Sequence, residues 1–289
     1  MRTRGEKIFS VVNTVVLVLI AFLCLYPFIY VLAVSLSDAK NVNMGNVWFL
    51  PKGFNLSAYD QIIHREGIWT SLMNSFFYMI VGTAFSMAVT VLGAYALSKK
   101  RLIGGRILNL IVVFTMWFSA GMVPMYLNFK EMGMLDNRWA IIFGFAVNTY
   151  NFIILRTYFS NVPEALEEAA KIDGATDFSI LIKVYLPLAL PSLATIGLFY
   201  AVEKWNSYFW PMIILQSDSK IPLQVVLKKM VVDMSSRLDS LEYGRDMQGT
   251  SEDGYIYSTM IFAMLPMIII YPFVQKFFVK GVMIGSVKG

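Results

Sequence analysis

The sequence predicts an all-α polytopic membrane protein with six transmembrane helices and both termini in the cytoplasm. Three observations carry this. Apolar residues make up 57% of the chain, and they fall in long uncharged blocks. Only 15% of residues are charged, against about a quarter in soluble domains. The charges that exist sit between the blocks rather than along one face.

A spanning helix needs about 20 mostly apolar residues. Six segments qualify: Ile8–Val34, Thr70–Ser98, Ile107–Phe129, Trp139–Leu155 (reaching toward Phe159), Leu186–Leu215 and Tyr255–Gln275. The first is too long for a signal-peptide core, and no small-residue cleavage site closes it, so it is read as a retained span. Pro27, Pro124, Pro266 and Pro272 lie within spans, where neighbouring helices and water can satisfy the freed carbonyls. The whole chain, 1–289, is read as one transmembrane domain.

Short basic flanks set the direction. Arg2, Arg4 and Lys7, then Lys99, Lys100, Arg101 and Arg106, then Lys276, Lys280 and Lys288 fall on one side of a six-span chain, which is assigned to the cytoplasm. The loops 35–69 and 216–254 then lie outside, and segment 161–187 inside. The outer loop 216–254 carries Lys228, Lys229, Asp233, Arg237, Asp239, Glu242, Arg245 and Asp246. Asn55-Leu56-Ser57 fits a glycosylation sequon, but a helix start is the simpler reading.

Composition and motifs exclude several functions. The net charge of +5 is distributed for membrane orientation, not for nucleic acid. Cys24 is the single cysteine, assigned to packing, and His64 the single histidine, so neither an internal disulfide nor a multi-histidine metal site is possible. No GxxxxGK[ST] phosphate loop occurs, and Gly104-Gly105 lacks the lysine and hydroxyl that hold phosphate and magnesium. The chain is therefore read as a non-enzyme that binds no cofactor of its own.

Residues 161–191 read as a short helix, a glycine turn and a second helix that feeds the membrane. Asn161 with Glu164 suggests a capping box, and Pro163 suits a first turn. Glu164–Ile172 is rich in helix formers, and Asp173-Gly174 stops it. Thr176 or Asp177 starts the next helix. Glu167 and Lys171 can pair at i,i+4, whereas Glu164 and Glu168 are like charges at that spacing. Ala165, Ala169 and Ala170 form a small face. A solvated surface helix and a docking helix are both open on these grounds.

EAAKIDGA followed by LPLALP resembles the signature of membrane subunits of binding-protein-dependent ABC importers. The matching residues are Glu168, Ala169, Ala170, Asp173, Gly174, Ala175, Leu186 and Pro187. WNSYFWPMIIL at 205–215 and FVKGVMIGSVKG at 278–289 resemble the carbohydrate branch, including its oligosaccharide and polysaccharide permeases. The resemblance implies a permease in a bacterial-type cell membrane that imports carbohydrate. It implies a second permease, two ATPase subunits (alike or different) that use ATP and magnesium, and an extracytoplasmic solute-binding protein that meets the outer face near 216–254. It also implies that Glu164, Glu167, Glu168, Ala169, Ala170, Asp173, Gly174 and Ala175 couple to the ATPase, and that the C-terminal tail reaches the ATPase cleft. A permease for a non-sugar solute and an ion-coupled secondary transporter are the alternatives.

Ionisable residues inside spans mark candidate pathways. Glu203 and Lys204 interrupt the fifth span beside Trp205, Asn206, Tyr208 and Trp210, and the fourth span offers Asn148, Tyr150 and Asn151. Aromatic faces can stack on sugar rings while amides and carboxylates bind hydroxyls. The simpler readings are an interfacial aromatic belt for the first group and helix–helix hydrogen bonds for the second. Gly82, Ala84, Ser86, Gly93-Ala94 and Ser119-Ala120-Gly121 are read as sites of close helix packing.

Overall fold

A computed structural model describes residues 3–237 and 250–286, and side chains of 3–232 and 250–272. Arg2, Asp239, Glu242, Arg245, Asp246 and Lys288 lie outside the described residues, as do the side chains of Asp233, Arg237, Lys276 and Lys280. Fifteen α-helices occur among the described residues: α1 Arg4–Ser35, α2 Ala39–Asn43, α3 Ser57–His64, α4 Ile68–Ser98, α5 Gly105–Trp117, α6 Met122–Glu131, α7 Arg138–Gly144, α8 Thr149–Ser160, α9 Glu164–Ile172, α10 Asp177–Ile180, α11 Leu186–Leu188, α12 Leu190–Asn206, α13 Phe209–Ile214, α14 Leu223–Arg237 and α15 Glu252–Ser286. A π-helical turn, Leu181–Tyr185, joins α10 to α11.

Three of these helices are long and apolar enough to cross a membrane: α1, α4 and Glu252–Pro272 of α15. Three bent pairs raise the number to six if each pair is one span. The expected continuous helices are therefore broken, and the chain chemistry accounts for each break. Between α5 and α6 the axis turns by 117°. Gly121 there adopts φ +87°, and Pro124 has no N–H and would clash with the carbonyl four residues back. Between α11 and α12 the bend is 86°, at Ala189 between Pro187 and Pro191. The Leu188 carbonyl left free at that kink accepts the Tyr158 hydroxyl at 2.7 Å. The fifth segment breaks again at Ser207, before Pro211 in α13.

The 45° bend between α7 and α8 contains no proline. Its main-chain groups are met by α12 instead. Lys204 Nζ donates to the Phe145 carbonyl, and Asn148 N–H donates to Tyr200 Oη at 3.1 Å. The irregular backbone between these two apolar helices thus keeps its polar groups bonded, and an unmet polar group away from water is costly.

The residues divide into two compact units. In Met1–Ile68 with Leu227–Pro266, α1 starts with a Thr3–Glu6 capping box. Most of its side chains are exposed down to Leu32, as expected of a helix solvated by lipid. Cys24 is exposed on it, so the packing role expected for that residue is not met among the described residues. Ala33 and Val34 bury against Val47 of the following loop. That loop is folded rather than loose: Ser35 Oγ lies 2.8 Å from Tyr59 Oη, and Ser258 Oγ donates to the Ser35 carbonyl at 3.0 Å. Asn55 Oδ1 accepts from Ser57 N–H at 2.8 Å, the local turn that starts α3.

The unit Trp69–Val226 with Met267–Gly289 holds the larger core. One cluster joins Ala94 and Tyr95 of α4, Phe152, Leu155 and Phe159 of α8, and Tyr185, Ile196 and Tyr200. A Cβ at Gly93 would meet Phe152 at 2.7 Å, so this glycine is required by the close approach of α4 and α8. The packing expectation for the small residues holds there.

Candidate functional site

The segment predicted to dock forms a helix–turn–helix as expected, with one correction at its start. Asn161 caps the end of α8, and Pro163 precedes α9 without any side-chain cap, so the expected capping box is absent. A proline N-cap leaves nothing for a reciprocal pair to protect, because its own nitrogen has no hydrogen.

The end of α9 follows its glycine. Gly174 has φ +78°, Gly174 N–H donates to the Lys171 carbonyl at 3.0 Å, and Ala175 N–H donates to that of Ala170 at 2.9 Å. These two bonds are the Schellman pattern. Thr176 Oγ1 then caps α10 through Ser179 N–H.

Within α9 the acidic residues separate by direction. Glu167 points inward and is 8% exposed. Its carboxylate accepts from Lys99 Nζ at 2.5 Å, Lys171 Nζ at 2.6 Å and Tyr185 Oη at 2.9 Å. Burial pushes this carboxyl up, but the Lys171, Lys99 and Tyr185 hydrogen bonds outweigh it and hold the pKa at about 2. Lys99 lies over the rings of Tyr95 (4.1 Å) and Tyr185 (3.8 Å). Burial draws the pKa of Lys99 down, against the pull of Glu167. Arg101 pairs with Asp177, and Lys100 reaches Glu164 at 2.7 Å in an exposed contact of the kind that contributes little.

Much of the acidic cluster answers the basic loop 99–101 of the same chain. Among the described residues Glu168 forms no ion pair, and it faces outward with Ala165, Leu166, Ala169 and Ile172. Ile172 is 86% exposed and Phe178 64%. Ala170 and Ala175 turn toward the core instead. Ala165, Ala169 and Ile172 lie at i, i+4 and i+7, so the apolar outer stripe was readable from spacing once Ile172 was included. Lys99 was not, because nothing local links it to a helix so distant in sequence.

The membrane-path candidates separate too. Asn148 Nδ2 donates to Glu203 Oε2 at 3.1 Å, bringing those two residues together across spans. Tyr150, Asn206 and Tyr208 are exposed. Asn151 is buried and donates its N–H to Asn148 Oδ1 at 3.2 Å. Trp205 is 2% exposed and packs edge-on against Phe76. This corrects the stacking role expected of Trp205: its faces are covered, and it is a core residue. Trp210 packs on Phe129 and Phe145. Lys204, the other ionisable residue of that stretch, is also buried, with its stem beside Gly82.

Residues 89–284 match the model of the family described as "Binding-protein-dependent transport system inner membrane component". The chain belongs to this family, whose members are permease components of ABC importers, transport components rather than enzymes. It is a multi-pass membrane protein of that class. It is 40% identical to the polygalacturonan/rhamnogalacturonan transport system permease protein YtcP of Bacillus subtilis (strain 168), over 98% of this chain and 99% of that one. Protein LplC of the same organism is 37% identical over 99% and 97%. Among solved structures, the chain is similar to a subunit of a bacterial ABC transporter involved in the import of the acidic polysaccharide alginate. The TM-score is 0.86 and the identity 43%, with 96% of this chain and 99% of that chain covered.

Proposed function

We propose that residues 1–289 form one transmembrane domain with six spans and cytoplasmic termini. It works as the membrane-spanning permease subunit of an ATP-driven importer of oligosaccharides. The acidic class is favoured by the likeness to the alginate importer. The observation that carries the reading is the outward apolar stripe of α9, Ala165, Ala169 and Ile172, beside Glu168, which has no ion-pair partner among the described residues. A helix end that turns apolar residues away from its own core is suited to a partner's cleft.

In this reading α9 docks on one of two separate ATPase subunits through Glu164, Glu168, Ala169 and Asp173. Gly174 and Ala175 set the angle of the turn, and Glu167 and Ala170 hold the helix from behind. ATP and magnesium are used by those subunits, and this chain binds no cofactor. A second permease completes the pathway, and a soluble binding protein delivers substrate to the outer face. Asn148 with Glu203, and Tyr150, Asn206 and Tyr208, are the path residues left accessible once Trp205, Asn151 and Trp210 are assigned to packing. ATP-driven closure of the ATPase pair pulls on α9, and the spans alternate between inward and outward access. Both ends must bias the same two-state element for such coupling to exist.

The test is reconstitution with both permeases, the ATPase subunits and the binding protein. Uptake of oligosaccharide that requires ATP supports the reading. Uptake by this chain without ATPase subunits, driven by an ion gradient, overturns it. Reporter fusions at the C-terminus that are active only outside would overturn the assigned orientation.

A further inference from the structure

Little apolar contact ties α9 to the rest of the chain. The residue it buries is Glu167, with Ala170 only partly covered. It is joined at both ends by short irregular stretches, Asn161–Pro163 and Asp173–Thr176. A helix so attached would pivot on its linkers when pulled. Besides the partly buried Val162 and Ala175 of those stretches, what opposes pivoting is the site around Glu167.

That site is built from three directions. Lys99 is the first residue after α4, and its ammonium lies over the rings of both Tyr95 and Tyr185, which meet edge to face. Tyr185 ends the π-helical turn Leu181–Tyr185, where the Leu186 N–H bonds back to the Leu181 carbonyl. A π-turn accommodates one residue more than the α-repeat, which rotates the helical residues after it; such turns recur at functional sites. Here it delivers the Tyr185 hydroxyl to the carboxylate of Glu167. The side chains of Lys99 and Glu167 are 9% and 11% exposed, so water is poorly placed to replace either partner if they separate. The exposed Lys100–Glu164 pair has no such protection.

We propose that Lys99 and Glu167 form an internal clamp that makes α9 and α4 move as one body, so that a pull on the docked helix is delivered to the span Ile68–Ser98. Glu167 is then a positioning residue, not a docking one. The clamp is distinct from the outward stripe, although its purpose rests on the reading of α9 as the ATPase-docking helix. Tyr185 and the ring of Tyr95 keep Lys99 from turning out to solvent. Arg101 with Asp177 ties the same loop to α10 and limits rotation about the first pair.

The experiment uses the full transporter in proteoliposomes and measures substrate imported per ATP hydrolysed, alongside co-purification of the ATPase subunits. Lys99→Met is expected to keep the ATPase bound and to lower transport per ATP by about fivefold or more, the scale of ordinary coupling between sites. Lys99→Arg, which preserves the charge, is expected to restore most of the ratio. Tyr185→Phe removes one hydrogen bond and keeps the ring, so it gives a smaller drop and remains informative if Lys99→Met assembles poorly. A wild-type ratio in both Lys99→Met and Tyr185→Phe overturns the clamp. The docking reading fails separately: it is overturned if Glu168→Lys leaves ATPase co-purification unchanged.

Discussion

Lys220 Nζ donates twice to Asp136, at 2.6 Å to its carbonyl and at 2.7 Å to its carboxylate. The same carboxylate accepts from the Gln216 and Ser217 N–H groups and from the Ser217 hydroxyl. Asp136 does this from φ +52°, in the left-handed region where Asp and Asn are tolerated better than most residues. It thereby staples the turn before α7 to the segment after α13.

The Lys220 and Ser217 hydrogen bonds hold the Asp136 carboxyl well below the usual carboxylate range. A depressed carboxyl contributes stability above its unfolded pKa and loses it as pH falls toward the folded value. The melting temperature of the purified chain should therefore fall as pH drops from about 5 to 3. Asp136→Asn should melt lower at neutral pH and show a shallower dependence over that interval. Thermal unfolding in detergent at several pH values checks both.

Trp205 separates packing from substrate contact. Trp205→Ala opens a cavity beside Phe76 and should cost about 3–5 kcal/mol of stability. Tyr208→Ala removes an exposed ring and should leave the melting temperature close to wild type while weakening substrate-stimulated ATPase. Melting curves and stimulated ATPase on the two variants check the pair.

Glu203 accepts from Asn148 at the break between α7 and α8, which makes the pair a test of the proposed pathway. Glu203→Gln keeps a hydrogen-bonding partner for Asn148 but removes the charge. If acidic oligosaccharides pass this point, removing that negative charge should tighten their apparent affinity while leaving a neutral oligosaccharide little changed. Concentration dependence of uptake for one acidic and one neutral oligosaccharide checks it.

Gly174 tests the turn without steric ambiguity. A Cβ there meets nothing within 4 Å, yet φ is +78°. Gly174→Ala should therefore cost only the left-handed penalty, about 1–2 kcal/mol, and give partial transport. Gly174→Pro cannot adopt this φ and should abolish transport while the spans still fold. Uptake assays with circular dichroism of the purified variants check this.

The helical class and the glycine turn after Ile172 were legible because each rests on local chemistry: apolar block length, and a glycine at the helix end. The span breaks were half legible. Pro124, Pro187, Pro191 and Pro211 were visible, but the break at Phe145–Asn148 has no sequence mark. It exists because Lys204 and Tyr200, far along the chain, satisfy its backbone. The same limit hid the inward turn of Glu167. Glutamates at 164, 167 and 168 look alike in sequence, and only the arrival of Lys99 and Tyr185 gives one of them an interior partner. Trp205 was misread because a tryptophan beside charged residues looks interfacial until Phe76 is seen against it.

Glu168→Lys in the reconstituted transporter asks whether a separate ATPase drives this permease through the outward stripe of α9. The measurement is ATP-dependent oligosaccharide uptake together with ATPase co-purification. Both should be lost while the variant permease remains folded in the membrane. Wild-type uptake with wild-type ATPase binding would contradict it.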